Sequence, residues 1–269
     1  MGGLGSEHAA RSQWLWIGST DSDRKLVLSM FALTGRTALV TGAGQGVGAG
    51  IAQVLIAAGA SVLVNDLNPE RAEKIAAGIG AQPLAFDVTD RAAVDAAVSA
   101  AGPIDILINN AGIPPAMRPE QFRDQSPDEW SRYIDVNLYG VLNCVKATIE
   151  PMCDRGWGRV ITISSGAGTT GLGIGVALYA AGKGGAISFM RHLAVETARF
   201  GVTANTLALG IMERDSADRT VTEKMAAHIP VRRVGTGQDV GYACVFLAAN
   251  EAAWITGQTI GVNGGAQTN

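Results

Sequence analysis

The stretch Thr37-Ala38-Leu39-Val40-Thr41-Gly42-Ala43-Gly44-Gln45-Gly46-Val47-Gly48 carries the decision about the fold. Its first residues are apolar or β-branched, enough for a short buried strand, and the rest is a glycine-rich turn. Residues 47–58 follow with helical composition and stop at Gly59. Glycine lets the backbone turn sharply and approach a ligand without a Cβ clash. The helix behind it offers unpaired N–H groups and the positive end of its dipole. Strand, turn and helix in that order suit a pyrophosphate. The spacing is TGxxxGxG, since a GxGxxG reading from Gly42 would need glycine at position 47, which is Val47.

Outward from this turn the pattern repeats. Apolar runs at 61–65, 84–86, 104–108, 160–163, 202–207 and 259–262 read as strands. Between them, 69–77, 90–101, 127–152, 176–200 and 238–250 read as helices, with Pro69 and Pro127 at first turns and Thr89 and Ser126 as caps. Short apolar runs alternating with helices imply parallel strands buried on both faces. The expectation is an α/β, single-domain, doubly wound Rossmann-like fold, with a seven-stranded, mostly parallel sheet and helices on both faces. Its ligands would sit at the carboxyl ends of the strands.

Composition narrows the function classes. The 269 residues are 47% hydrophobic and 17% charged, with 35 glycines and a net charge of −3. That is a globular composition, and the absence of a basic stripe argues against nucleic acid as a partner. No apolar run reaches the length of a membrane span. Cys144, Cys153 and Cys244 match no metal spacing, so no metal site is expected; they read as small buried hydrophobes, and their odd number fits a reducing cytoplasm. Residues 1–30 differ from the rest and read as a tail or non-native extension before a catalytic domain at 31–269. Met30 is a candidate start, and Trp14 and Trp16 are tail residues.

The chain resembles the short-chain dehydrogenase/reductase family from about Gly35 to its end. The resemblance rests on TGxxxGxG, on Asn109-Asn110-Ala111-Gly112, on Tyr179-x-x-x-Lys183 and on Asn263-Gly264-Gly265, in that order. It implies a single-domain oxidoreductase that moves hydride between a nicotinamide and an alcohol or ketone carbon. A homotetramer or homodimer packed through the helices at 127–152 and 176–200 comes with it.

Tyr179 and Lys183 are four apart on one helix and share a face. A free tyrosine is a poor base at neutral pH, and a nearby ammonium lowers its pKa, which makes Tyr179 usable as general acid or base. By resemblance, Lys183 also holds the nicotinamide ribose. Ser165 matches the family serine that stabilises developing charge on the substrate oxygen, and is favoured over Ser164. Asn137 matches the asparagine that holds a water in a proton relay. The cofactor contacts implied are Gly42, Gln45, Gly46, Val47, Gly48, Asp66, Leu67, Asp87, Val88, Asn110, Ala111, Gly112, Tyr179, Lys183, Gly210 and Ile211.

Asp66, at the end of the second strand, can accept from the adenosine ribose hydroxyls and repel a 2′-phosphate. Gln45 and Leu67, where a phosphate-binding cation would stand, are uncharged. NAD is therefore expected over NADP, although Asp66 also reads as a cap for the helix near Pro69. Leu209-Gly210 replaces the family's usual Pro-Gly, which suggests a looser turn. Residues 212–233 read as a substrate lid, with Arg214 and Arg219 on it. Leu172, Ile174 and Val176 hint at a neutral, partly apolar substrate, and His192 and His228 are isolated.

The expectation is an NAD-dependent secondary-alcohol dehydrogenase acting on a small molecule. One alternative is an NADPH-dependent ketone or 3-oxoacyl-thioester reductase. Another, of a different class, is a catalytically silent nucleotide-binding protein.

Overall fold

The computed structural model describes residues 30–112, 117–213 and 219–268. Among them are seven strands: β1 Thr37–Val40, β2 Ser61–Val64, β3 Gln82–Pro83, β4 Ile106–Asn109, β5 Gly158–Ser165, β6 Val202–Leu209 and β7 Thr259–Val262. They lie in the order β3-β2-β1-β4-β5-β6-β7 and every neighbouring pair is parallel. The helices are α1 Gly46–Ala57, α2 Pro69–Ile79, α3 Arg91–Ala101, α4 Trp130–Ile134, α5 Gly140–Asp154, α6 Ala177–Thr197, α7 Arg219–Ala226 and α8 Gly237–Ala248.

Alternation along each strand divides the core in two. Ala38, Val40, Val62, Val64, Ile106 and Ile108 face one side, where Ile51 and Leu55 of α1 and Val240, Cys244 and Leu247 of α8 pack. Leu39, Leu63 and Leu107 face the other, against Val94 and Val98 of α3, Val141, Cys144 and Val145 of α5, and Ala186 and Met190 of α6. This is the doubly wound Rossmann-like arrangement. The order reverses at β1, whose neighbours are β2 and β4, so the carboxyl ends of β1 and β4 diverge around a crevice.

Four local expectations need correction. The strand expected at 84–86 is displaced to Gln82–Pro83. Leu84 still donates to Val64 O at 2.9 Å. Beyond it the backbone leaves the ladder, because Asn65 Nδ2 donates to Leu84 O at 3.1 Å and to Phe86 O at 3.0 Å.

The single helix expected at 127–152 is a 3-10 turn at Pro127–Glu129, then α4, a π turn at Asp135–Tyr139, and α5. Asn137 Nδ2 donates to Tyr133 O at 2.8 Å. That is the acceptor its own backbone N–H would use in an α-helix. The cap of α3 is Asp90, whose Oδ1 accepts from Ala92 N at 2.9 Å and Ala93 N at 3.1 Å. The Thr89 hydroxyl instead donates to Asp87 Oδ1 at 2.8 Å.

Leu209 ends β6 opposite Val262, and Gly210 N continues the pairing with a 3.1 Å bond to Val262 O. The ladder thus holds the segment where a looser turn was expected. The region expected as a lid contains α7 and is drawn shut at its neck. Gly235 N donates to Ile211 O at 3.0 Å and Glu213 N to Gly235 O at 2.8 Å. Arg214 and the Arg219 side chain, like Trp14, Trp16 and the rest of the expected tail up to residue 29, lie outside the described residues. No helix among the described residues is long and apolar enough to cross a membrane.

Candidate active site

The glycine-rich turn is held from both sides. Gly42 and Gly46 adopt φ of 61° and 51°, a region that side chains with a Cβ rarely enter. A Cβ on Gly48 would collide with Gly42 O and stand 2.8 Å from Ala43 Cα. From the β4 side, Asn110 N and Ala111 N donate to Thr41 Oγ1 at 2.9 and 3.1 Å. Asn110 Nδ2 donates to Thr41 O at 2.9 Å and Gly42 O at 3.0 Å. From the β2 side, Gly42 N donates to Asn65 Oδ1 at 3.3 Å and Gly44 N to Asp66 Oδ2 at 3.2 Å.

Gln45 is the N-cap of α1 and makes no side-chain capping bond, and the first turn of α1 carries no acidic residue. A glycine cradle ahead of an uncapped helix N-terminus fits the pyrophosphate of a dinucleotide. Gln45, Gly46 and Leu67 are exposed there and Val47 is half-buried.

Asp87 and Val88 lie beyond β3 at the same edge. Asp87 Oδ1 accepts from Thr89 N at 2.8 Å, and Val88 O accepts from Asn143 Nδ2 at 3.0 Å. Gly210 and Ile211 follow β6, with Ile211 exposed.

Lys183 is the centre of the other half of the site. It is 4% exposed, and Nζ donates to Ile163 O at 2.8 Å. Burial lowers its pKa from the ordinary lysine value to about 8. Nζ stands 5.9 Å from the centre of the Tyr179 ring, one helical turn away on α6. A Cβ on Gly112 would collide with Lys183 Nζ and lie 2.9 Å from Asn137 Oδ1. Glycine there leaves the ammonium and the amide oxygen facing one small space. Asn137 is fully buried and its Oδ1 has no hydrogen-bond partner among the described residues. An orphaned buried acceptor beside an ammonium suits an intervening water. The π turn presents this oxygen, and Gly182 of α6 lets Asn137 approach so closely that a Cβ there would lie 2.7 Å from Asn137 Cβ.

The two serines at the end of β5 differ in environment. Ser164 is buried and donates to Lys183 O at 3.3 Å. Ser165 is half-buried at the strand's carboxyl end, and its Oγ accepts from Ala167 N at 3.2 Å. The structure thus brings Lys183 beside Tyr179 and Asn137, and Ser165 ends the strand whose Ile163 O accepts from Lys183 Nζ. His192 is exposed on α6 and His228 contacts Lys224 O through Nδ1 at 2.9 Å, so neither joins it. Burial pushes the Cys144 thiol up to about 12 and raises that of Cys244 as well, which keeps both unreactive. Among the described residues no group of three or more His, Cys, Asp or Glu could hold a metal ion.

Asn65 and Arg71 escaped the sequence reading. Asn65 is a polar residue ending an apolar strand, which was the available signal. Arg71 lies on α2, and its Nη1 donates to Gln45 Oε1 at 3.3 Å, a contact between segments that no local pattern announces.

Comparison with known proteins agrees with this geometry. A family model described as Enoyl-(Acyl carrier protein) reductase matches residues 42–267. The 3-oxoacyl-[acyl-carrier-protein] reductase FabG of Salmonella typhimurium is 39% identical over 240 residues, covering 86% of this chain and 97% of its own. Among solved structures, a gluconate 5-dehydrogenase from Burkholderia cenocepacia in complex with NADP and tartrate superposes with a TM-score of 0.81 at 35% identity, covering 89% of this chain and 98% of that chain. A 3-oxoacyl-[acyl-carrier protein] reductase with bound NAD from Brucella melitensis superposes with a TM-score of 0.82 at 31% identity, covering 91% and 96%.

The expectation of NAD with NADP disfavoured is thereby corrected, since the more identical of these two structures holds NADP. A physical reason is visible here. The expected role of Asp66 as an acceptor for the ribose hydroxyls needed open oxygens, yet Asp66 is 7% exposed. Its Oδ2 accepts from Gly44 N at 3.2 Å and its Oδ1 from Asn68 N at 2.9 Å.

Proposed function

The chain belongs to the short-chain dehydrogenase/reductase family, and from that membership we propose that it reduces the keto group of 3-oxoacyl thioesters with NADPH. Oxidoreduction between an alcohol and a carbonyl carbon with a nicotinamide nucleotide is the coarser activity. The finer reading rests on the 39% identity to a 3-oxoacyl-[acyl-carrier-protein] reductase along almost that protein's full length. Exposed apolar residues after β5 and β6, Leu172, Ile174 and Ile211, are compatible with an acyl chain.

The nucleotide supplies hydride to the keto carbon when bound. The turn from Gly42 to Gly48 and the N-terminus of α1 receive its phosphates, and Asn110, Ala111 and Gly112 line the crevice between β1 and β4. Ser165 Oγ donates a hydrogen bond to the keto oxygen as negative charge develops there. The Tyr179 hydroxyl gives its proton to that oxygen, and the Lys183 ammonium stabilises the phenolate left behind. Asn137 Oδ1 positions a water that returns a proton from solvent toward Lys183. Much of the acceleration comes from holding the two reactants in one geometry.

The test follows oxidation of NADPH and NADH separately, with 3-oxoacyl thioesters of increasing chain length. Turnover with NADPH that vanishes in Tyr179→Phe is the expected result. Turnover of simple ketones or keto sugars in the same assay, with none of any 3-oxoacyl thioester, would reject the thioester assignment.

A further inference from the structure

Resting on the NADPH reading, we infer that Arg71 is the residue that recognises the adenosine 2′-phosphate. Neither Gln45 nor Leu67, the neighbouring positions on the turn and after β2, carries a charge. The structure brings a cation to the same place from a helix instead. Asn68 caps α2 by accepting from Arg71 N at 3.1 Å, which fixes Arg71 in the first turn. Its stem then crosses the glycine-rich turn. A Cβ on Gly44 would stand 2.7 Å from Arg71 Cβ and 2.6 Å from Asp66 Oδ2. The guanidinium ends at Gln45 Oε1, beside the N-terminus of α1.

With a pyrophosphate at α1, the adenosine ribose lies toward the carboxyl end of β2. Arg71 stands at that junction. It is exposed, its one side-chain hydrogen bond goes to a neutral amide, and no ion pair engages it among the described residues. A guanidinium held this way can exchange the Gln45 amide for two phosphate oxygens in a fork that lysine cannot reproduce. The Asp66 carboxylate is fixed toward the backbone by Gly44 N and Asn68 N, and the Arg71 guanidinium is the counter-charge that offsets it at this place. The glycine at 44 has a second use here: it admits the Arg71 stem next to the buried carboxylate.

The test is direct binding of 2′,5′-ADP and 5′-AMP, measured by calorimetry on the wild-type chain and on Arg71→Ala, Arg71→Lys and Glu70→Ala. Thermal unfolding serves as a check of folding. The wild type should prefer 2′,5′-ADP. Arg71→Ala should weaken 2′,5′-ADP by about tenfold or more while changing 5′-AMP by less than about twofold, with Arg71→Lys between. Glu70→Ala, an exposed neighbour, should not weaken either ligand. Equal weakening of both ligands, or an undiminished preference in Arg71→Ala, would overturn the role of Arg71 and leave the NADPH reading standing. A wild type without preference would remove that reading and this inference together.

Discussion

Asn65 ties the glycine-rich turn to the segment after β3: its Oδ1 accepts from Gly42 N at 3.3 Å while its Nδ2 donates to Leu84 O and Phe86 O. Asn65 is 1% exposed, so water cannot replace these bonds. Asn65→Leu keeps the branched outline and strands three backbone groups. We expect a loss of roughly 3 kcal/mol in urea unfolding, together with weaker nucleotide binding. A loss below about 1 kcal/mol would mean that these groups find other partners.

Gly48→Ala places a methyl group against Gly42 O and Ala43 Cα. The turn must open to admit it. Affinity for the nucleotide should fall by about tenfold or more, an effect of the 1–3 kcal/mol (roughly) typical of overpacking. Fluorescence titration with the reduced nucleotide reads it, and unchanged affinity would dissociate the turn from phosphate binding.

Tyr179→Phe removes the proton donor and keeps the ring. A fall in kcat of about 10²- to 10⁴-fold is expected, with nucleotide affinity falling far less. A fall in affinity matching the fall in kcat would instead point to a structural role for the phenol.

The buried ammonium of Lys183 makes stability depend on pH. Its folded pKa of about 8 is below the unfolded value, which is near ~10.4. Between those two values the unfolded chain holds one more proton than the folded chain, so this group makes stability rise with pH across that window. Lys183→Met deletes the contribution. Urea midpoints at rising pH should therefore show the variant ahead of the wild type near pH 7, with its lead shrinking toward pH 10. A lead constant with pH would mean that Lys183 titrates normally. In the same wild-type protein, reduction should decline as pH rises through about 8, because Lys183 loses the charge that favours the phenolate.

The sheet was legible because its strands are apolar runs bounded by turns, and right-handed crossovers bring their carboxyl ends to one edge. The assignment of Asn137, Ser165, Tyr179 and Lys183 drew on motif spacing, since each holds a fixed place relative to a strand end or a helical turn. What escaped depends on contacts between distant segments. Nothing in 84–86 announces that a side-chain amide will take its carbonyls. The π turn at Asp135–Tyr139 has the composition of an α-helix, and the poor helix former Asn137 was its one local sign. Asp66 looked like a free acid because its position is visible in the sequence and its hydrogen-bond partners are not. Arg71 was passed over because its reach to Gln45 depends on how α2 crosses the turn.

The neck at Ile211–Glu213 and Gly235 has a consequence for how this scaffold diversifies. Chain that leaves and re-enters through a hydrogen-bonded pinch is insulated from the sheet beneath it. Lengthening such a segment costs only loop-closure entropy, about 0.6 kcal/mol for each doubling. Insertions or exchanges between the two sides of the pinch should therefore leave the strand pairing of β6 and β7 intact.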